Sequence, residues 1–91
     1  EGNNIFSRED VTFSQAALGG KIIVQTLYGE SEVSVPQGIQ SGESTVIRKQ
    51  GFPSLGHNSK GDHIVVFSIL TPKKLSSKEK KLFQELSKFE R

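Results

Sequence analysis

The sequence predicts a mainly β domain: a small, twisted, sandwich-like β fold with one short helical turn and a C-terminal amphipathic helix. Three observations predict it. Residues 21–35, KIIVQTLYGESEVSV, run from a β-branched stretch through Tyr28-Gly29 into alternating Val33 and Val35, the pattern of a hairpin. Residues 63–70, HIVVFSIL, place Ile64, Val66 and Leu70 on one face and Val65, Phe67 and Ile69 on the other, as in a strand that is central or covered on both sides. Only beyond Pro72 does the apolar spacing change from that of a strand to that of a helix.

Taken in order, residues 11–13 form a short candidate strand, followed by SQAALGG at 14–20. There Ala16, Ala17 and Leu18 make a single helical turn with Gly19 or Gly20 as its left-handed stop. The hairpin of 21–35 must end near Val35, because Pro36 cannot donate to a ladder and Gly38 and Ser41-Gly42 punctuate the next connection. A shorter strand at 44–48 precedes the glycine-rich stretch GFPSLGHNSKGDH at 51–63. After 63–70, Ser76 as N-cap and Glu79 three residues on form a capping box that opens the only long helix. Leu82, Phe83, Leu86 and Phe89 fall on one stripe of it, opposite its lysines. The expected division is a β-rich body over 1–75 and a terminal helix over 76–91.

With 91 residues there is room for one core of modest stability. The absence of cysteine excludes disulfides, a thiolate zinc site and a cysteine nucleophile from this chain. No apolar run approaches the roughly 20 residues of a membrane span. These features point to a soluble segment, at home in the cytosol or in an organelle matrix such as the mitochondrial one. The net charge of +2 divides into +4 over residues 72–91, where seven basic residues meet three acidic ones, and −2 over residues 1–71, where five meet seven. An acidic partner would dock on the tail, although a solvated helix face accounts for the same charges.

The stretch 51–63 invites chemical readings, and each lacks a part. A phosphate loop needs a helix after its last glycine, and here Asp62, His63 and a strand come next. A metal site could recruit His57, Asp62 and His63, but no second cluster supplies further ligands. The expected roles are surface histidines and an Asp62 that caps loop amides. No serine lies in a GxSxG turn and no paired carboxylates mark strand ends, so no catalytic residue is nominated and the chain is read as a non-enzyme. The phenylalanines are scattered, without an aromatic pair flanked by Arg or Lys on a strand, so nucleic acid ranks low as a partner. Gly51, Gly61 and Asp62 remain as loop-shaping residues. Phe52 and Leu55 remain as apolar side chains in a loop, read either as contacts for a polypeptide or as anchors to the core.

The order of the short motifs resembles the second of the two β-rich C-terminal domains of DnaJ-type co-chaperones. The matching pieces are Phe6-Ser7-Arg8, VTFSQAALGG at 11–20, VQTLYG at 24–29, VSVPQGIQSG at 33–42, RKQGFP at 48–53 and GDHIVVFSILTPKKLS at 61–76. Each is weak alone, but all six stand in family order over nearly the whole chain. The resemblance implies client (unfolded-protein) binding and dimer support in protein folding and heat-shock response, with a DnaK-type ATP-driven chaperone engaged through a J domain outside these residues. It implies no cofactor in this chain, zinc belonging to cysteine-rich repeats elsewhere. Dimer contacts would map to Leu82, Phe83, Leu86 and Phe89, and client contacts to Phe52 and Leu55. The family carries a further GxDL-like strand between its F-x-R motif and VTF, whereas Arg8 here stands three residues from Val11. Either this member is shortened there, or loop residues between the two sides are missing from the sequence, and the resemblance leaves the pairing of the first strand open. The alternative is a non-catalytic protein-interaction β module of another family, with nucleic-acid binding behind it.

Overall fold

The structure, a computed structural model, describes residues 2–56 and 59–90. It contains five strands and two helices: β1 (Ile5–Thr12), α1 (Phe13–Leu18), β2 (Gly20–Thr26), β3 (Gly29–Val35), β4 (Ser44–Ile47), β5 (His63–Leu70) and α2 (Ser77–Ser87). The strands form two sheets, one ordered β1-β5-β4 and the other a β2-β3 hairpin. β5 is the centre of the larger sheet, parallel to β1 from Ile5↔His63 to Thr12↔Leu70 and antiparallel to β4 from Ser44↔Val66 to Ile47↔His63.

β1 corrects the expectation of a short strand at residues 11–13. All eight of its residues pair with β5 without interruption, so Phe6-Ser7-Arg8 lies inside a strand. Its alternation was hidden by charge: Ile5, Ser7 and Glu9 are half-buried and Val11 is buried, while Phe6, Arg8, Asp10 and Thr12 face out. Charged side chains suit an edge strand, where they discourage pairing with other chains.

The helical turn is also longer than its apolar residues suggest. Thr12 caps α1 by accepting from the Gln15 amide at 3.1 Å, and the Gln15 side chain accepts from the Thr12 amide at 2.9 Å. This is the reciprocal box that Thr-x-x-Gln encodes, and it recruits Phe13 into the helix. Gly19 ends α1 at φ 81, ψ 169, a positive-φ conformation other than the left-handed helical one, which glycine alone adopts readily. A Cβ there would also press on the backbone of Gln37 and Val35.

In the hairpin the turn residues are Leu27 and Tyr28, and Gly29 at φ 117 is the first residue of β3. The turn is thus one residue earlier than Tyr28-Gly29. The buried Thr26 hydroxyl donates to the Gly29 carbonyl at 2.7 Å and accepts from the Tyr28 amide at 3.1 Å. β4 ends at Ile47, one residue short of expectation, because Arg48 and Lys49 turn the chain, Lys49 at φ 61.

Val11, Ala16, Val24, Val33, Val35, Ile39, Val65 and Phe67 form the core, drawn from both sheets, α1 and the connection after β3. Val65 and Phe67 are almost wholly enclosed, while the opposite face of β5, Ile64, Val66 and Ser68, is only half-buried. The strand is central, but one of its faces is far better covered than the other. This sandwich separates two ends of a body 58 Å in its longest dimension. The hairpin turn and the start of β5 lie at one end; α1, the end of β5 and α2 lie at the other.

Candidate functional site

At the first end, the chain between β4 and β5 is drawn against the hairpin turn and the start of β1. The Gly51 amide donates to the Gly61 carbonyl and the Gly61 amide to the Phe52 carbonyl, both at 2.9 Å, and the Ser54 amide reaches the Ser59 carbonyl at 2.9 Å. Pro53 and Lys60 form a bridge between the two arms. The Phe52 amide donates to the Asn3 carbonyl at 2.8 Å, and Asn3 Nδ2 donates to Ser54 Oγ at 2.6 Å. Glycine is needed where these segments meet: a Cβ on Gly51 would stand 2.5 Å from the Asn3 carbonyl oxygen, and one on Gly61 would collide with the same peptide unit. Asp62 Oδ1 accepts from the Lys49 amide at 2.9 Å, satisfying the turn in which Lys49 holds its positive φ.

Tyr28 ties this arm to the hairpin. Its hydroxyl donates to the Gly51 carbonyl at 2.8 Å, and Lys60 Nζ sits 3.8 Å from its ring centroid, a cation–π contact of about 0.5–1 kcal/mol at an exposed site. On this braced framework Phe52 is 50% exposed and Leu55 97%. Leu55 therefore does not anchor the loop to the core. Leu27 and Tyr28, the turn residues of the hairpin to which the arm is tied, are exposed as well, an extension that sequence reasoning missed because Tyr28 reads there as a turn residue alone.

His63 is not a surface histidine. It is buried at the start of β5, with Nε2 2.7 Å from Ser7 Oγ and Nδ1 without a partner. His57 lies outside the described residues. Among the described residues no three His, Asp or Glu side chains are placed to share a metal ion, and no helix is long and apolar enough to cross a membrane.

At the second end, α2 begins at the Ser76 cap. Ser76 Oγ accepts from the Glu79 amide at 3.1 Å and Glu79 Oε1 accepts from the Ser76 amide at 2.8 Å. The bond from the Ser76 backbone, then that from its side chain, holds the Glu79 carboxyl below its ordinary pKa, against a small opposing effect of desolvation. No α2 side chain is fully buried. Phe83 is half-buried and meets Phe13 edge-on, ring centroids 6.1 Å apart at 68°, worth about 0.5–1.5 kcal/mol beyond the area covered. Leu82 and Leu86 are exposed, and Phe89, 84% exposed, lies past the end of the helix. The stripe thus has three helical members and one in the turn beyond. Beneath it an open groove of about 580 Å³ runs between α1, Ile39, Ile69 and Leu86.

The two ends share no residues. The first holds a part-buried serine–histidine contact, Ser7 Oγ to His63 Nε2, with no acid on Nδ1 to orient the ring. What they offer chemically is exposed apolar surface on an ordered framework. A family model described as the DnaJ C terminal domain matches residues 1–72. Among curated proteins, the chaperone protein DnaJ of Acholeplasma laidlawii is 46% identical over 98% of this chain and 24% of its own length. That of Fusobacterium nucleatum subsp. polymorphum is 43% identical over 93% of the chain and 22% of its own length. That of Clostridioides difficile (strain 630) is 41% identical over 97% and 23%. The chain spans 22–24% of the length of these relatives.

Proposed function

The chain belongs to the DnaJ C-terminal domain family, and from that premise we propose that it holds non-native polypeptide and supports the dimer of a DnaJ-type co-chaperone. The matched relatives are named chaperone proteins, not members of a catalytic family. The observation that carries the reading is the exposure of large apolar side chains on braced backbone, above all Leu55 beside Phe52. A solvent-facing leucine at a loop tip contributes nothing to this domain's own core, whereas an apolar segment of another polypeptide would lose water-exposed area against it. Such contacts are shallow and indifferent to backbone sequence, which suits many clients held weakly.

In this reading delivery to a DnaK-type ATP-driven chaperone falls to a J domain beyond these residues. Any zinc belongs to cysteine-bearing repeats beyond them too, since this chain has no thiol. The stripe of α2 would join two copies. The test is aggregation of a chemically unfolded client, followed by light scattering, in the presence of a dimeric polypeptide that includes this domain. Scattering should be suppressed, and Phe52→Asp or Leu55→Asp should weaken the suppression. Failure to protect any client at stoichiometric excess would sink the reading.

A further inference from the structure

We propose that the end of the domain built around Tyr28 is a preformed docking site for an extended polypeptide segment whose apolar side chains are flanked by acidic residues, with Leu27 and Tyr28 completing the surface begun by Phe52 and Leu55. The proposal rests on the client-holding reading and narrows it to one place and one class of segment.

Tyr28 makes the place. Its hydroxyl is spent on the Gly51 carbonyl and its ring carries the Lys60 ammonium. One side chain therefore fixes the arm that bears Phe52 and Leu55 while leaving its own ring partly open to solvent. The Asn3 bonds to Phe52 and Ser54 brace the same arm from the other side. Apolar groups held this way lose little freedom when a partner arrives, so more of the burial appears as affinity.

Charge selects the class. Residues 1–71 carry five cationic side chains: Arg8, Lys21, Arg48, Lys49 and Lys60. Lys21 is paired with Glu32 across the hairpin at 3.5 Å. Arg48, Lys49 and Lys60 all stand at the Tyr28 end, because β4 delivers the first two beside the start of β5 and the arm delivers the third. Two carboxylates stand at the same end, Asp62, whose Oδ1 accepts from the Lys49 amide, and Glu30, one residue past the start of β3, so this end carries three cations against two anions. A body with more acidic than basic residues thus gathers three of its five cations at the end that exposes Leu27, Tyr28, Phe52 and Leu55, and a segment with glutamates or aspartates beside its leucines and phenylalanines complements both features.

The test uses the 91-residue chain, amide NMR shifts and three probes: a peptide with a leucine and phenylalanine centre between glutamates, its twin between lysines, and oligothymidylate. The glutamate peptide should shift residues 27, 28, 52, 55 and 60, bind about five- to tenfold tighter than its twin at low ionic strength, and lose that margin at roughly 0.5 M salt. Leu55→Asp should abolish binding. Tyr28→Phe, which keeps the ring and removes only the bond to Gly51, should weaken binding several-fold while core shifts stay in place. Shifts confined to the groove beside Leu86 would overturn the site and leave client holding intact, and equal binding of the twins would overturn the acidic class. Tighter binding of oligothymidylate at the same residues would replace the occupant. No shifts with any probe would remove both this proposal and the client-holding reading for this domain.

Discussion

Glycines that look alike in sequence differ sharply in what surrounds them. Gly61 and Gly51 lie against the Asn3 peptide, where an added methyl group meets backbone that cannot yield cheaply; Gly20 faces open space at an ordinary φ. Gly61→Ala should cost about 1–3 kcal/mol or more, whereas Gly20→Ala should stay within about 0.5 kcal/mol, as read from urea midpoints at constant slope. Asp62→Ala tests a second local device. It leaves the Lys49 amide without its acceptor in a turn already at positive φ, and about 1–3 kcal/mol should be lost. The loop glycines and Asp62 could be read as shaping residues from their type and spacing. That Lys49 would take the positive φ could not, because nothing in its side chain favours that conformation. The burial of His63 was equally hidden: a histidine opening an apolar strand faces inward or outward according to a register that pairing with β1 decides.

Elements were legible to the degree that their signals were local. β5 and the start of α2 are where the pattern places them, since an uninterrupted apolar run and a Ser-x-x-Glu box carry their own boundaries. β1 was obscured because three consecutive charged residues, Arg8, Glu9 and Asp10, break an alternation that only its edge position explains. α2 makes a separable unit for experiment. Its 11 residues are fewer than an isolated helix needs for stability in water, and its docking rests on the Phe13–Phe83 contact. Ser76→Ala should cost the helix about 0.5–2 kcal/mol, seen as lost α2 amide protection, with the unfolding midpoint of the sheets unmoved. The pH response comes from Glu79. Its carboxyl is depressed in the folded state, so its stabilisation is fully present above the ordinary carboxylate range and is lost as pH falls through the depressed value. Helicity of α2 should be flat from neutral pH down to about pH 5 and decline below about pH 4. Glu79→Gln, which can still reach the Ser76 amide, should remove that decline.

At the scale of the molecule, two exposed apolar surfaces lie at opposite ends of a 58 Å body. If the α2 stripe joins copies, Phe83→Asp together with Phe89→Asp should halve the mass measured by sedimentation equilibrium for a polypeptide extending through this domain, without disturbing the loop end; an unchanged mass would refute that assignment. The sandwich architecture was visible in the alternation of its strands, but the assignment of strands to sheets was not, because pairing between distant segments leaves no mark on either one. The partnership of β1 with β5 is the clearest case. Ile5 waits for His63 and Thr12 for Leu70, so on a ribosome the opening strand leaves the exit tunnel with an open edge and no mate until nearly the whole body has been made. The sheet built on β5 is therefore the last part of the body to close, and the hairpin of β2 and β3 is complete well before it.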